Sequence, residues 1–341
     1  MAYIDVIKGL LFVFVCLGHY TFLPDWLRTT STYLIIFRMP TYFFLSGMLF
    51  SDRRHDTLKK YVISKSKSLL LPYVSLSVFF TLCDYELFRH PAETILRNLD
   101  WIFIQGNGAP KAYALWFVLT LYLASIAYYI INKYVKKIGY KLLTALAIST
   151  AGYLLMHCQI NTPLKIGTLC AAVVFLTAGH LAAKLKNISF DWSVQLVSII
   201  FVLFGITILC SYDCIHTDRI AYLGMNKLPP YWIFYPGALC GTMATVLFFN
   251  LLGRYDSVLF RVLKYIARNA LIILASHGYA LLVLTHLVRV FITDNPTMNF
   301  LLVTMLLIPT EVAIICFFNR YFYRMLGKPR QELLQSLSLN T

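Results

Sequence analysis

Residues 4–23 read IDVIKGLLFVFVCLGHYTFL, an apolar stretch that carries two ionisable side chains, Lys8 and His19, eleven positions apart. A helix needs about twenty such residues to cross the hydrocarbon core of a bilayer. At about 100° per residue, eleven steps bring the second side chain back to within about 20° of the first, and a rise of about 1.5 Å per residue separates them by about 16 Å. One helix face is thereby expected to hold a cation near one membrane surface and an imidazole near the other. Ionisable groups are costly in lipid and face a protein interior or a water-filled cavity, so this face reads as part of a working route across the bilayer.

Composition agrees with a membrane-embedded chain. Of 341 residues, 59% are hydrophobic and 13% charged, too few polar groups to clothe a soluble domain. The net charge of +15 raises nucleic acid as a partner, but Lys and Arg are dispersed between apolar windows instead of gathered on one polar domain, so no nucleic acid is expected. The eight cysteines form no CxxC pair and read as small residues within apolar spans, with Cys158 and Cys214 falling near loops on one side. No metal site is expected.

Apolar windows bounded by polar clusters fall at 4–23, 31–50, 69–88, 113–132, 142–157, 164–183, 193–211, 231–252, 265–288 and 298–319. The sequence therefore predicts an all-α fold, a polytopic integral membrane helical bundle of about ten transmembrane helices embedded in membrane lipid. With the N-terminus inside, the inner connections hold nineteen Lys and Arg and the outer ones seven. Cytoplasmic loops carry the excess, so both termini are expected in the cytoplasm. The first window is long and lacks a small-residue cleavage site, so it is expected to remain as an anchor. Residues 1–325 read as the transmembrane domain and 326–341 as a short cytoplasmic tail, with no soluble domain, low-complexity tract or short repeat.

That orientation assigns depths. Lys8 lies near the inner end of its helix, with Asp5 placed to pair at i,i+3. His19 lies in the outer half, and Arg38, on the returning second helix, lies at a similar depth; Asp84 and Glu86 lie near the outer end of the third. Lys65 and Lys67 precede Leu69-Leu70-Leu71-Pro72-Tyr73 on the inner side, where Arg268-Asn269 also begin the ninth helix, and together these form a basic inner mouth. His277 and Glu311 sit nearer mid-membrane. Plainer readings stand beside these: inner lysines satisfy the positive-inside rule, His180, His277 and His286 can bond neighbouring helices, Trp116 can belong to an interfacial belt, and Pro40 can kink its helix.

Several motifs then carry a resemblance. Asp5-Val6-Ile7-Lys8-Gly9 followed by Leu17-Gly18-His19, then Phe37-Arg38-Met39-Pro40-Thr41-Tyr42-Phe43-Phe44-Leu45-Ser46-Gly47, the Leu-Pro-Tyr segment at 71–73, Leu115-Trp116-Phe117, and Arg268-Asn269-Ala270-Leu271 with His277 resemble, in order, the signatures of the membrane-bound acyltransferase-3 family. The nearest subgroup resembles fucose 4-O-acetylases and related polysaccharide O-acetyltransferases. Two departures stand out. Lys8 replaces a frequent arginine, keeping charge without the bidentate fork, and paired arginines before Pro-Tyr are represented by Lys65 and Lys67.

The resemblance implies a multi-pass protein of the bacterial inner membrane that moves an acetyl group from cytoplasmic acetyl-CoA to a sugar hydroxyl of a glycan or lipid-linked saccharide outside. Acetyl-CoA would be a cosubstrate, with no permanently bound cofactor. Lys8, Lys65, Lys67 and Arg268 would hold its phosphates, with Trp116, Asn269 and His277 on the donor side. His19 would be the general base or accept the acetyl group itself, Asp84, Glu86 or Glu311 would orient its ring, and Arg38 would stabilise the oxyanion. Outer aromatics Tyr212, Tyr222, Tyr231 and Trp232 are available to stack on sugars as well as to form the interfacial belt. A carrier or flippase for a lipid-linked sugar would use the same intramembrane charges, although no duplicated half with matching broken helices is evident. A sensor explains the two ends of the first helix less well.

The charge asymmetry generates a vectorial prediction. In proteoliposomes of uniform orientation, acetyl-CoA is expected to serve only from the side bearing the tail with Arg320, Arg324, Lys328 and Arg330. Acetylated sugar is expected on the other side. Donor use and product on the same, tail-bearing side would overturn the cross-membrane arrangement.

Overall fold

The computed structural model describes residues 2–51, 56–88, 93–112, 114–160, 162–184, 193–252 and 257–327. Lys328 and Arg330, with the rest of the expected tail from 328, lie outside the described residues. The helices are α1 (Ala2–Leu17), α2 (Asp25–Met48), α3 (Leu58–Lys65), α4 (Leu71–Phe88), α5 (Glu93–Phe103), α6 (Trp116–Tyr134), α7 (Ile138–His157), α8 (Ile166–Lys184), α9 (Val194–His216), α10 (Tyr231–Leu252), α11 (Val258–Arg268), α12 (Ala270–Phe291) and α13 (Pro296–Tyr321). A π-turn, Ser66–Leu70, joins α3 to α4. Among the described residues the only β pairing is an isolated antiparallel bridge between Tyr222 and Lys227, so the fold is an all-α bundle.

Each of the ten apolar windows contains a helix, and α3, α5 and α11 are additional. Eight helical stretches are long and apolar enough to cross a membrane by length and composition. The protein is thus a multi-pass membrane protein. α1, with 16 residues, and α2, whose 24 include Asp25, Arg28 and Arg38, are not among the eight. Burial sorts the crossing helices into inner and outer ones: the most apolar windows of α6, α8 and α12 are 61% buried, those of α9 and α13 only 22% and 17%. Ile199, Phe201 and Leu209 of α9 and Met305, Ile308 and Phe317 of α13 are exposed, as lipid-facing side chains must be. Cys83 and Cys316 are exposed, against the expectation of buried cysteines; Cys158 is exposed just past α7 as a loop position would be, Cys214 is instead buried within α9, and both are free thiols.

Two features depart from the expected helices. α1 stops at Leu17, six residues short of the apolar window, so His19 lies in the turn after the helix and not on its face. Much of the stretch 106–112, expected to lie in an outer loop, is instead buried, while Ile104 and Gln105 just before it are exposed. Gly106, Gly108, Ala109, Ala112, Ala114 and Leu115 are all buried, and the Lys111 amide reaches the Tyr279 hydroxyl at 3.5 Å. Non-helical backbone is tolerated inside a membrane protein where protein or a cavity surrounds it. Gly106 (φ 75°) and Gly108 (φ 88°) supply left-handed backbone that a side chain would oppose.

Close backbone approach sets the central packing. α2 lies against α8, α9 and α10, α7 against α8, α12 against α13, and α1 against α11. A Cβ on Gly47 would collide with the Leu176 carbonyl, one on Gly179 with the Phe44 carbonyl, and one on Gly9 with the Leu263 carbonyl. Small residues bring helix backbones together where no hydrophobic gradient exists between protein and lipid tails. Since these obstacles are backbone, they cannot rotate away.

Gly179→Ala is expected to lower the thermal midpoint in detergent, by an overpacking cost of about 1–3 kcal/mol. Gly205→Ala is the control, because nothing lies within 4 Å of its added methyl. It should be neutral or slightly stabilising through helix propensity. Equal midpoints for both variants would refute the close α2–α8 contact.

Candidate active site

Arg38 of α2 organises the end of α1. Its Nη1 donates to the Phe14 carbonyl at 2.6 Å, an oxygen that also accepts from the Gly18 amide at 3.3 Å, at a helix C-terminus where a cation meets the negative end of the helix dipole. Gly18 makes the approach possible: a Cβ there would stand 2.9 Å from Nη1. The chain leaves the helix at this point through hydrogen bonds from the Gly18 and His19 amides to the Val15 and Cys16 carbonyls. Local sequence did not force that ending, since Tyr20 to Leu23 continue the apolar run.

The turn delivers His19, half-buried, against His277 of α12, fully buried; their ring centroids are 5.1 Å apart at 55°. Arg38 and His277 both act electrostatically on His19. His277 Nδ1 lies 2.6 Å from the Ile273 carbonyl. Only a protonated Nδ1 can donate there, so the neutral ring keeps its lone pair on Nε2. Beside it, Ser276 Oγ lies 2.7 Å from Glu311 Oε2 of α13, and Cys16 feels both Glu311 and Arg38. Four helix segments therefore converge on one polar cluster.

Three of its atoms, Arg38 Nε, His277 Nε2 and Glu311 Oε1, are buried and have no hydrogen-bond partner. Buried polar groups are normally paired, and a guanidinium N–H can donate while an imidazole lone pair and a carboxylate oxygen can accept. Such a set can take a proton from a hydroxyl and stabilise an oxyanion.

The N-terminal part of α1 carries Lys8, and Lys65 at the end of α3 lies near it. The Tyr42 hydroxyl donates to the Lys8 carbonyl at 2.6 Å, tying α2 to this level. Lys65 and Lys8 feel one another's charge, Asp5 acts on Lys8, and the Lys65 ammonium stands 5.6 Å from the Tyr61 ring centroid. From Lys8 to Leu17, nine residues at about 1.5 Å each separate this pair from the imidazoles by about 14 Å of helix.

Other sequence candidates fall elsewhere. Lys67 is exposed, with its carbonyl packed against Gly327. Arg268 is exposed at the α11–α12 junction, and Asn269 is buried there, accepting from Asn319 Nδ2 at 3.0 Å and donating to the Tyr265 carbonyl. Trp116 packs over Gly224. Asp84 is buried on α4, one turn beyond Phe80, whose ring stacks on Tyr279 of α12 at 5.2 Å; Glu86 is exposed. His180 bonds the Tyr128 hydroxyl and packs on Phe50, the helix-bridging role, while His286 is exposed. Sequence reading passed over Ser276, for which the signal available was its adjacency to His277.

Residues 1–318 match the family model Acyl_transf_3, described as an acyltransferase domain. No curated protein and no solved structure matches the chain.

Gly18→Ala tests the geometry of the cluster. The added methyl displaces the Arg38 guanidinium from Phe14, and acyl transfer is expected to fall about tenfold, equivalent to about 1.4 kcal/mol of barrier. The melting midpoint should move little. Undiminished transfer would show that the seat of Arg38 on α1 does not matter.

Proposed function

The chain belongs to the acyltransferase-3 family, and we propose that it is a membrane O-acetyltransferase that carries an acetyl group from cytoplasmic acetyl-CoA to a sugar hydroxyl of an envelope or exported glycan. The carrier reading has no support from the family match. The observation that carries the proposal is the contact of His19 with His277 beside the buried Arg38. In this reading His19 removes the proton of the acceptor hydroxyl as its oxygen attacks the thioester carbon. A C–O bond forms and the C–S bond breaks. The proton on His19 then passes to the departing thiolate, leaving an acetyl ester and free coenzyme A.

The remaining residues take roles that their surroundings support. The unpartnered Arg38 Nε–H faces the charge that develops on the carbonyl oxygen, and a fixed donor in a water-poor site is worth far more than one in solution. His277, with its lone pair on Nε2, and Glu311 keep the cluster able to hold and return a proton. Lys8 and Lys65 supply adjacent positive charges for the phosphates of coenzyme A. Its thin pantetheine arm then follows α1 toward His19. Both termini inside, with the cations inward and His19 toward the outer side, completes the vectorial scheme, and the bacterial inner membrane is the setting that an envelope glycan requires.

His19→Ala is expected to reduce turnover about 100-fold or more, the scale of a lost positioned base, with acetyl-CoA affinity retained. Transfer near the wild-type rate would exclude His19 as base. In Lys8→Ala, Lys65→Ala protein the acetyl-CoA KM should rise, free coenzyme A should compete less well, and added salt should narrow the gap from wild type. An unchanged KM would leave these lysines with topology alone.

A further inference from the structure

A cavity of about 940 Å3 opens away from the imidazole cluster, between the loop after α5, the C-terminal end of α7, the turn before α8 and the hairpin bridged by Tyr222 and Lys227. Its volume lies within the range of about 300–1,000 Å3 typical of small-molecule sites. The lining alternates polar and apolar groups: Gln105, Asn107, Gln159 and Asn226 offer amides, while Ile160 and Met225 offer flat apolar surface. Hydroxyl-rich rings with C–H faces need that alternation.

The backbone around the cavity is unusual. Gln159, Lys165 and Asn226, all lining it, hold left-handed backbone at φ 56°, 58° and 52°. Residues other than glycine adopt it reluctantly, and such positions gather at ligand sites when the surroundings enforce them. Here cross-loop hydrogen bonds do so: Leu164 N to the Ile104 carbonyl at 2.7 Å, Lys165 Nζ to the Gly224 carbonyl at 2.8 Å, and Thr168 Oγ1 to the Leu223 carbonyl at 2.8 Å. The walls are thus fixed by the protein, while the Gln159, Asn226 and Lys227 side chains enter no hydrogen bond of their own among the described residues.

The same hairpin touches the reactive centre. Tyr222 lines a second pocket of about 180 Å3 with Arg28, Ser31, Tyr20, Gly18 and Arg38, and so reaches the residues beside His19. Lys227, paired to Tyr222 through its amide at 3.1 Å, lines the large cavity. Trp116 braces the turn at Gly224. One small hairpin is the shared wall of a large polar cavity and a narrow pocket ending at Arg38.

We propose that the large cavity is a binding site for an oligosaccharide and holds acceptor units beyond the one that reacts, while the narrow pocket admits the reacting unit to Arg38 and His19. This rests on the acyl-transfer reading above. Charge selects acidic sugars: among the described lining residues Lys227 offers an ammonium to the cavity, Lys165 adds a second positive charge although its Nζ is held by the Gly224 carbonyl, and the one carboxylate, Asp100, already accepts from Gln105 Nε2 at 2.8 Å. A single sugar would fill only the narrow pocket, so affinity is set by units held in the larger one.

The test is calorimetric titration of the purified full chain with uronic-acid oligomers of one, two and four units, and with N-acetylglucosamine oligomers of the same lengths. Affinity is expected to rise at least tenfold from one unit to four, with the uronic series tighter. The Gln105→Ala, Lys227→Ala double variant, checked by thermal melting, should lose at least tenfold for the four-unit probes and leave the one-unit probes unchanged. Equal binding by wild type and variant, or no binding of any oligomer, overturns the site; a tighter neutral series overturns its charge assignment. Acetyl-CoA turnover by the wild-type preparation tests the transfer reading separately, so failure of one is distinguishable from failure of the other.

Discussion

The guanidinium of Arg38, donating to the Phe14 carbonyl at 2.6 Å, meets the C-terminal end of α1 inside a bundle from which it is almost wholly shielded. A charge in that position is favoured by the partial negative charge at the end of the helix and by the second lone pair of a carbonyl there. The consequence reaches beyond one hydrogen bond. Holding α1 to 16 residues frees Gly18 and His19 from helical geometry, and the imidazole is presented to α12 where a continued helix would have carried it past. The Nε of the same cation is still unpartnered.

Most of the architecture was legible because bilayer thickness converts apolar run length directly into helix count. Each of the ten windows became a helix for that reason. What the runs did not carry was where helices stop through contacts with distant residues. The end of α1 depends on Arg38, twenty-four positions from the carbonyl that it holds, and apolar Tyr20 to Leu23 gave no hint of it. The burial of Gly106, Gly108, Ala109 and Ala112 was equally hidden, since these residues read as an ordinary loop whether they lie in water or in the core. Amphipathic α11 was absorbed into the approach to the ninth window.

The site was legible in its parts and opaque in its assembly. Lys8 and His19 announced themselves by charge within an apolar run, the one signal that intramembrane polarity always gives. The helix-face relation that linked them does not hold, because His19 lies beyond the last turn. They are joined instead by nine helical residues and a turn that Arg38 fixes. The neighbour that matters most to His19, His277, is distant in sequence and was one of several histidines with equal claims. Its distinction from His180 and His286 is a matter of surroundings: His180 meets a tyrosine hydroxyl and His286 is exposed, whereas His277 meets another imidazole and keeps Nε2 open.

Open polar atoms in a buried cluster cost folding energy that a purely structural core would avoid. In this bundle part of that cost falls where α1, α2, α12 and α13 converge, at Arg38, His277 and Glu311, and part falls at Ser77 and Thr81 of α4 and at Asn299 and Asn319 of α13. Replacing the three at the convergence with apolar residues of similar size would ease folding, so their retention is intelligible if a substrate satisfies them during turnover. At the Asn269–Asn319 contact, by comparison, Asn319 Nδ2 donates to Asn269 Oδ1 at 3.0 Å and ties the start of α12 to α13. A hydroxyl arriving at Arg38 and His19 would find its donor and acceptor already placed. A fixed set of groups of this kind needs no reorganisation as charge moves during transfer, and that preorganisation, more than any one residue, is the physical basis on which an acyl shift inside a membrane bundle can run.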